Sequence, residues 1–281
     1  MATNPEIGRY VTTGAVRTNY HDLGATSDEI ASPLLLLHGS GPGVSAFANW
    51  RLVMPLLAEH TRVLAFDFAG FGYSETPADA EFSRDAWLAQ LVDFLDAVGV
   101  EKVSVVGNSF GGSMALALAI HHPERVDKLI LMGAVGVPFE LTEGLDAVWG
   151  YEPSPEAMGR LMRETFAYDA SLITDDMVQG RYTASLRTQD AFARMFPAPR
   201  QRWVDSMAHP EDTIRGVKAP TLLVHGRDDR VIPLQTSLTM LHLIDDAQLH
   251  VFGRCGHWTQ IEYAEPFARL VVEFLGHDSK E

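Results

Sequence analysis

The chain has 281 residues, 46% of them hydrophobic and 21% charged, with a formal net charge of −15. This is ordinary globular composition, long enough for one core plus an insertion, and its acidity argues against nucleic acid and anionic membranes as partners. A single cysteine, Cys255, excludes an intramolecular disulfide and a multi-cysteine zinc site.

Met1-Ala2-Thr3-Asn4-Pro5-Glu6 lacks the basic and apolar parts of a signal peptide. No apolar run reaches the ~18 residues of a membrane span. The expectation is a soluble cytoplasmic protein with a small-molecule partner, no membrane contact, and no metal or cofactor. The acidity also sets a condition: an anionic ligand needs a local positive group against the global field.

Arg9 to Thr13 and Val16 to Leu23 predict two strands joined across Gly14-Ala15. Pro33 precedes Leu34-Leu35-Leu36-Leu37, apolar on both faces, as a central parallel strand requires. It runs into His38-Gly39-Ser40-Gly41-Pro42-Gly43, where exposed backbone N–H groups at a strand's carboxyl end can build an oxyanion hole. Asn49 to Ala58 reads as a helix with Trp50, Val53, Met54 and Leu57 on one face. Arg62 to Phe66 is the next strand, and Asp67 to Ser74 the glycine-rich turn after it. Ser83 caps a helix whose Trp87, Leu88, Leu91, Val92 and Leu95 form a core-facing stripe.

Val103 to Met114 organises the chain. A Val-rich strand enters Gly107-Asn108-Ser109-Phe110-Gly111, and Met114 to Ile120 continues as helix. Gly-x-Ser-x-Gly between a strand and a helix is a nucleophile elbow. Glycines flank Ser109 because the turn is too cramped for a Cβ on either side. The bland alternative is a glycine-rich turn with a solvated serine.

Lys128 to Met132 is a further strand, and strands alternating with helices define an α/β fold with a mostly parallel sheet. Strands then vanish. Ser154-Pro155 and Thr174 cap helices, and Ala191–Phe196 and Arg202–Met207 read as shorter ones. We divide the chain into a first core part (1–136), an inserted helical cap (137–210) and a second core part (211–281). Most apolar cap residues are expected to pack the cap to the core. Thr221 to Val224 and Gln248 to Phe252 resume the sheet, and Glu262 to Leu275 closes the chain as a helix before a frayed tail.

A serine hydroxyl needs a base, and the base an orienting acid. In a strand–turn–helix hydrolase they follow the serine as acid, then histidine. Asp228 and Asp229 follow the strand ending at Val224, and either fits by spacing. His257 follows Gly256 after the last strand and is the best base of eleven histidines. His38 opens the glycine loop, His250 lies within a strand, and His121 and His122 lie near a helix end. Cys255 reads as a small buried hydrophobe rather than a nucleophile.

With these residues assembled, the chain resembles the α/β-hydrolase superfamily, and within it the meta-cleavage product hydrolases, which break carbon–carbon bonds in bacterial aromatic-ring degradation. The resemblance is carried by His38–Gly43, Gly107-Asn108-Ser109-Phe110-Gly111-Gly112, Gly226-Arg227-Asp228-Asp229-Arg230-Val231-Ile232-Pro233 and Cys255-Gly256-His257-Trp258. Phe196–Trp203 and Ala247–Gly253 look like the branch acting on monocyclic products. The likeness covers nearly the whole chain.

The resemblance selects Asp229 over Asp228, giving a triad of Ser109, Asp229 and His257, and an oxyanion hole from the backbone N–H groups of Ser40 and Phe110. It implies a 2-hydroxy-6-oxohexa-2,4-dienoate substrate, with Arg181 on its carboxylate. Residues alone leave Arg163, Arg187 and Arg194 as rivals. Asn49, Asn108, Trp258, Gly41 and Trp149 are further implied contacts. The implied reaction ketonises the dienolate at C5 and then hydrolyses the C5–C6 bond, with serine acylation or serine-activated water as the two routes. A homodimer is expected on the same footing. An esterase of the same fold and a hydrolase-fold ligand-binding protein are the competing readings, and the C6 substituent stays open.

Overall fold

The computed structural model describes residues 4–25 and 30–276. In chain order it runs β1 (Arg9–Thr13), β2 (Val16–Leu23), β3 (Leu34–Leu37), α1 (Ala46–Trp50), α2 (Met54–Ala58), β4 (Val63–Phe66), α3 (Arg84–Ala97), β5 (Val103–Asn108), α4 (Phe110–His121) and β6 (Val126–Met132). Next come α5 (Glu143–Trp149), α6 (Pro155–Arg160), a π-helical turn (Leu161–Phe166), α7 (Asp175–Arg187), α8 (Gln189–Met195), α9 (Gln201–Met207) and α10 (Glu211–Arg215). The chain ends with β7 (Thr221–Gly226), α11 (Gln235–Leu243), β8 (Ala247–Phe252), α12 (Thr259–Glu262) and α13 (Ala264–Gly276).

Eight strands form one sheet in the order β1-β2-β4-β3-β5-β6-β7-β8. The β1–β2 and β2–β4 pairs are antiparallel, and every pair from β4 to β8 is parallel. The run of four leucines in β3 is wholly buried because helices cover both faces. On one face Trp50, Leu57, Phe267 and Val271 bring α1, α2 and α13 onto the sheet. On the other, α3 and α4 share one apolar cluster with cap residues such as Met158, Met162 and Phe166. The cap is thus continuous with the core, as the apolar pattern of the sequence led us to expect.

Between β6 and β7 the described chain makes only helices. The caps read from sequence form: Ser154 accepts from Ala157 N–H, and Thr174 from Met177 N–H. The helix expected over Asn49–Ala58 is instead two short ones, α1 and α2. Pro55, in the first turn of α2, has no N–H to give and its ring crowds the carbonyl four residues back, so a continuous helix cannot pass through it. Helix α4 starts at Phe110, directly on the elbow, rather than at Met114. Helices α5, α10, α11 and α12 are additions to the sequence reading. The expected frayed tail beyond Gly276 lies outside the described residues. Among the described residues no helix is long and apolar enough to cross a membrane.

Candidate active site

Strand β5 delivers Ser109 at its carboxyl end with φ 56° and ψ −114°. A side-chain-bearing residue in this sparsely populated region costs about 1–3 kcal/mol. The turn is over-determined by contacts. A Cβ on Gly107 would lie 2.3 Å from the Gly111 carbonyl oxygen, and one on Gly111 would lie 2.4 Å from that of Leu37. Ser109 N–H donates to the Met132 carbonyl at 2.9 Å, tying the elbow to the end of β6. The next residue, Gly133, packs against the other two members of the expected triad: its ideal Cβ position is 3.2 Å from Asp229 Oδ2 and 3.3 Å from His257 Nδ1.

His257 Nδ1 donates to Asp229 Oδ2 at 2.7 Å. Both side chains are buried, at 4% and 1% exposed. The other oxygen, Asp229 Oδ1, accepts from Val231 N–H at 2.7 Å and Ile232 N–H at 3.0 Å, fixing the carboxylate plane. Burial alone would raise the Asp229 carboxyl, but the charge and hydrogen bond of His257, with His225 and the Ile232 N–H, hold it below its ordinary value. Asp228 instead faces Arg227 at 3.3 Å. Of the two carboxylates that spacing left open, Asp229 is the one that meets the imidazole. Cys255 is buried, and burial pushes its thiol up to about 12, far from a thiolate.

The glycine loop after β3 is held by His38. Phe68 N–H donates to His38 Nε2 at 3.0 Å, so Nδ1 carries the proton and donates to the Gly39 carbonyl at 2.7 Å. Burial lowers this imidazole to about 4, keeping it neutral. Ser40 follows, buried, with its hydroxyl held by Trp149 of the cap. Across from it the Phe110 ring is fully buried against Phe68, Phe71 and Trp87. That ring is engaged in packing; what Phe110 presents to the site is backbone.

A cavity of about 310 Å³ is lined by Trp258, the residue after His257, and by others that include Glu6, Asn49, Arg51, Arg181 and Gln260. Arg181, from α7, is half-buried and donates through Nε to the Pro42 carbonyl at 2.7 Å. Among the described residues it has no carboxylate partner. Burial lowers it to about 10, with Glu6 opposing and Arg51 assisting, so it stays cationic at neutral pH. The rivals are otherwise occupied. Arg163 pairs with Asp175 at 2.6 Å, Arg187 lies 3.7 Å over the Tyr73 ring, and Arg194 bonds the carbonyls of Ala78 and Ala80.

Two buried amides share the cavity wall, and Asn49 Nδ2 and Gln260 Oε1 have no hydrogen-bond partner among the described residues. Gly41 faces the same place: its ideal Cβ position is 3.2 Å from an Arg181 nitrogen and 3.4 Å from the Phe166 ring. Asn108 is not part of this lining; its amide donates to the Met132 carbonyl at 3.4 Å. Trp149 lines a second cavity between cap helices and stacks on Phe196 at 4.5 Å. Gln260 and Phe166 escaped the sequence reading. Gln260 lies just past the Cys255–Trp258 motif in a one-turn helix, and Phe166 reads like any apolar cap residue.

A serine on a strained elbow, a buried aspartate–histidine pair and a glycine loop at one edge of a parallel sheet define a serine hydrolase of the α/β class. The α/β-hydrolase fold family matches residues 32–264. The chain is 58% identical, over 97% of its length and 95% of the relative's, to 2-hydroxymuconate semialdehyde hydrolase of a Pseudomonas species. It is 56% identical to 2-hydroxy-6-oxo-2,4-heptadienoate hydrolase of Pseudomonas putida, over 97% of each chain. A meta-cleavage product hydrolase from Pseudomonas fluorescens, solved as a serine-to-alanine variant complexed with acetates, superposes with a TM-score of 0.93 at 51% identity, covering 96% of this chain and 98% of that one. The chain belongs to the α/β-hydrolase family and, within it, to the meta-cleavage product hydrolases.

Proposed function

We propose that this enzyme hydrolyses the C5–C6 bond of 2-hydroxy-6-oxohexa-2,4-dienoates carrying hydrogen or a small alkyl group at C6, as in 2-hydroxymuconate semialdehyde. The observation that carries the reading is the cavity lined by Trp258, the residue after His257. It offers a guanidinium with no carboxylate partner among the described residues and two buried amides with open hydrogen-bonding capacity. Glu6 also lines this wall but forms no ion pair with Arg181, so a ligand carboxylate suits Arg181, and a neighbouring oxygen function suits Asn49 and Gln260. The small substituent is supported by the names of the two relatives.

In this reading Arg181, Asn49 and Gln260 hold the carboxylate and 2-oxygen end, Trp258 packs on the diene, and Asn108 steadies the elbow. Protonation at C5 converts the dienol to a ketone able to accept electrons. His257 takes the Ser109 proton, and the Ser109 oxygen adds to the C6 carbonyl. The Ser40 and Phe110 N–H groups stabilise the oxyanion. The C5–C6 bond then breaks, its electron pair passing into the unsaturated ketone to release 2-hydroxypenta-2,4-dienoate. Water, deprotonated by His257, frees the acyl group from Ser109 as a carboxylic acid, formate for the semialdehyde. We place residues 137–210 as the lid over this chemistry. The reading carries the expectation of a cytoplasmic homodimer, which light scattering during gel filtration tests.

The decisive experiment follows loss of the dienolate absorbance over many turnovers. Ser109→Ala should lose on the order of 10³-fold or more in kcat. Arg181→Ala should lose about 10²-fold in kcat/KM, or ~3 kcal/mol of charge-assisted bonding. The same variant should lose much less on a neutral nitrophenyl ester. Equal losses on both substrates would refute the anchor, and binding of the dienolate without turnover would refute the enzyme.

A further inference from the structure

The loop that carries His257 is joined to the cap by one carboxylate. Glu262, at the end of α12, accepts through Oε1 from Gly256 N–H at 2.7 Å. Through Oε2 it accepts from two cap N–H groups, Tyr168 at 2.8 Å and Asp169 at 3.1 Å. Between these bonds His257 N–H donates directly to the Phe166 carbonyl at 2.7 Å. The two segments therefore run side by side, and Glu262 supplies the acceptors that a neighbouring strand would supply in a sheet.

The approach is close enough to restrict the sequence. A Cβ on Gly256 would sit 2.4 Å from the Phe166 oxygen and 2.8 Å from the Tyr168 nitrogen. Side chains extend the contact: the Phe166 ring stacks on Trp258 at 4.6 Å and lies 6.1 Å from the His257 ring. Hence the backbone that places the catalytic base is bonded on one side to its own loop and on the other to the cap.

We infer that Glu262 is a positioning residue for His257, locking the base to the docked cap so that the triad is in register only while residues 166–169 are down. It touches neither the proposed substrate nor the reacting atoms and acts through the loop. The inference rests on the serine-hydrolase reading of the site and not on the identity of the substrate.

The test is kinetic. Glu262→Gln keeps size and shape but exchanges one acceptor oxygen for a donor amide, which the facing N–H groups cannot use. Glu262→Ala removes both acceptors. Each is assayed on the dienoate and on a neutral nitrophenyl ester, beside the rate at which phenylmethylsulfonyl fluoride inactivates the enzyme. Misplacement of a base by about 1 Å costs up to ~10²-fold. We expect kcat for the ester and the inactivation rate to fall in parallel, by about tenfold in Glu262→Gln and more in Glu262→Ala, with ester KM near wild type. A merely structural role lowers the melting temperature but moves neither rate in the folded variant. Rates within about twofold of wild type in folded Glu262→Gln would overturn the inference. If Glu262→Ala does not fold, Glu262→Gln decides alone. Should the wild type prove inert to the dienoate, the proposed substrate fails while the ester and inactivation measurements still decide the role of Glu262.

Discussion

Trp149 Nε1 donates to Ser40 Oγ at 3.0 Å. One partner belongs to the last turn of cap helix α5, the other to the loop whose backbone is assigned to the oxyanion. Because Trp149 also stacks on Phe196, its ring is held independently of this bond. Trp149→Phe should therefore keep the packing and lose only the donor. A neutral hydrogen bond is worth about 0.5–1.5 kcal/mol, so kcat should fall by about two- to tenfold with the melting temperature little changed. Steady-state kinetics with parallel thermal denaturation checks this.

Gln260 separates recognition from chemistry. Its Oε1 is buried without a partner among the described residues, in the wall that includes Arg181. Gln260→Leu removes a polar group whose burial already costs free energy, and is expected to leave stability unchanged or slightly raised. On the dienoate it should raise KM several-fold, or ~1 kcal/mol. Unchanged KM would remove Gln260 from the site.

Acid sensitivity follows from buried imidazoles. Burial lowers His38 to about 4, and burial with Arg84 and His121 nearby lowers His209 to about 4. In the unfolded chain both return to about 6.5. As pH falls from about 6.5 toward 4 the unfolded state takes up these protons first, and stability declines. Asp67 works the opposite way. Burial raises it to about 6, against the Ala46 and Tyr73 N–H groups and the Asn19 amide that favour the carboxylate. It gains its proton first in the folded chain and offsets part of the loss. Denaturant midpoints should fall between pH 6.5 and 4.5, and His209→Gln should flatten that fall without touching the triad.

The sheet and elbow were legible because their signals are local. Leu34–Leu37 is apolar on both faces, Gly107 to Gly111 is a motif in its confirming context, and Ser154 and Thr174 cap their helices as read. Pro55 was a visible break in a run that periodicity alone joined. What sequence could not show was which of equivalent residues meet. Asp228 and Asp229 differ by one position, yet only Asp229 reaches the imidazole. Four cap arginines look alike until three of them prove to be engaged elsewhere. Glu262 is one acid among many on an acidic chain, and its three N–H partners come from segments roughly ninety residues apart.

The π-helical turn over Leu161–Phe166 fixes how the cap's length is allowed to vary. A π-turn holds one residue more than the α-helical turn it replaces. Deleting a single residue there would only restore an α-helical turn and leave the direction of the chain beyond nearly unchanged, whereas a deletion in the regular turn of α6 ahead of it would swing everything beyond by about 100° around the helix axis. In that second case Phe166 would leave the face where its carbonyl meets His257 N–H and its ring meets Trp258. The π-turn can absorb one residue of length; α6 cannot without uncoupling the lid from the base. One-residue insertions and deletions in related chains should therefore fall in this turn rather than in α6.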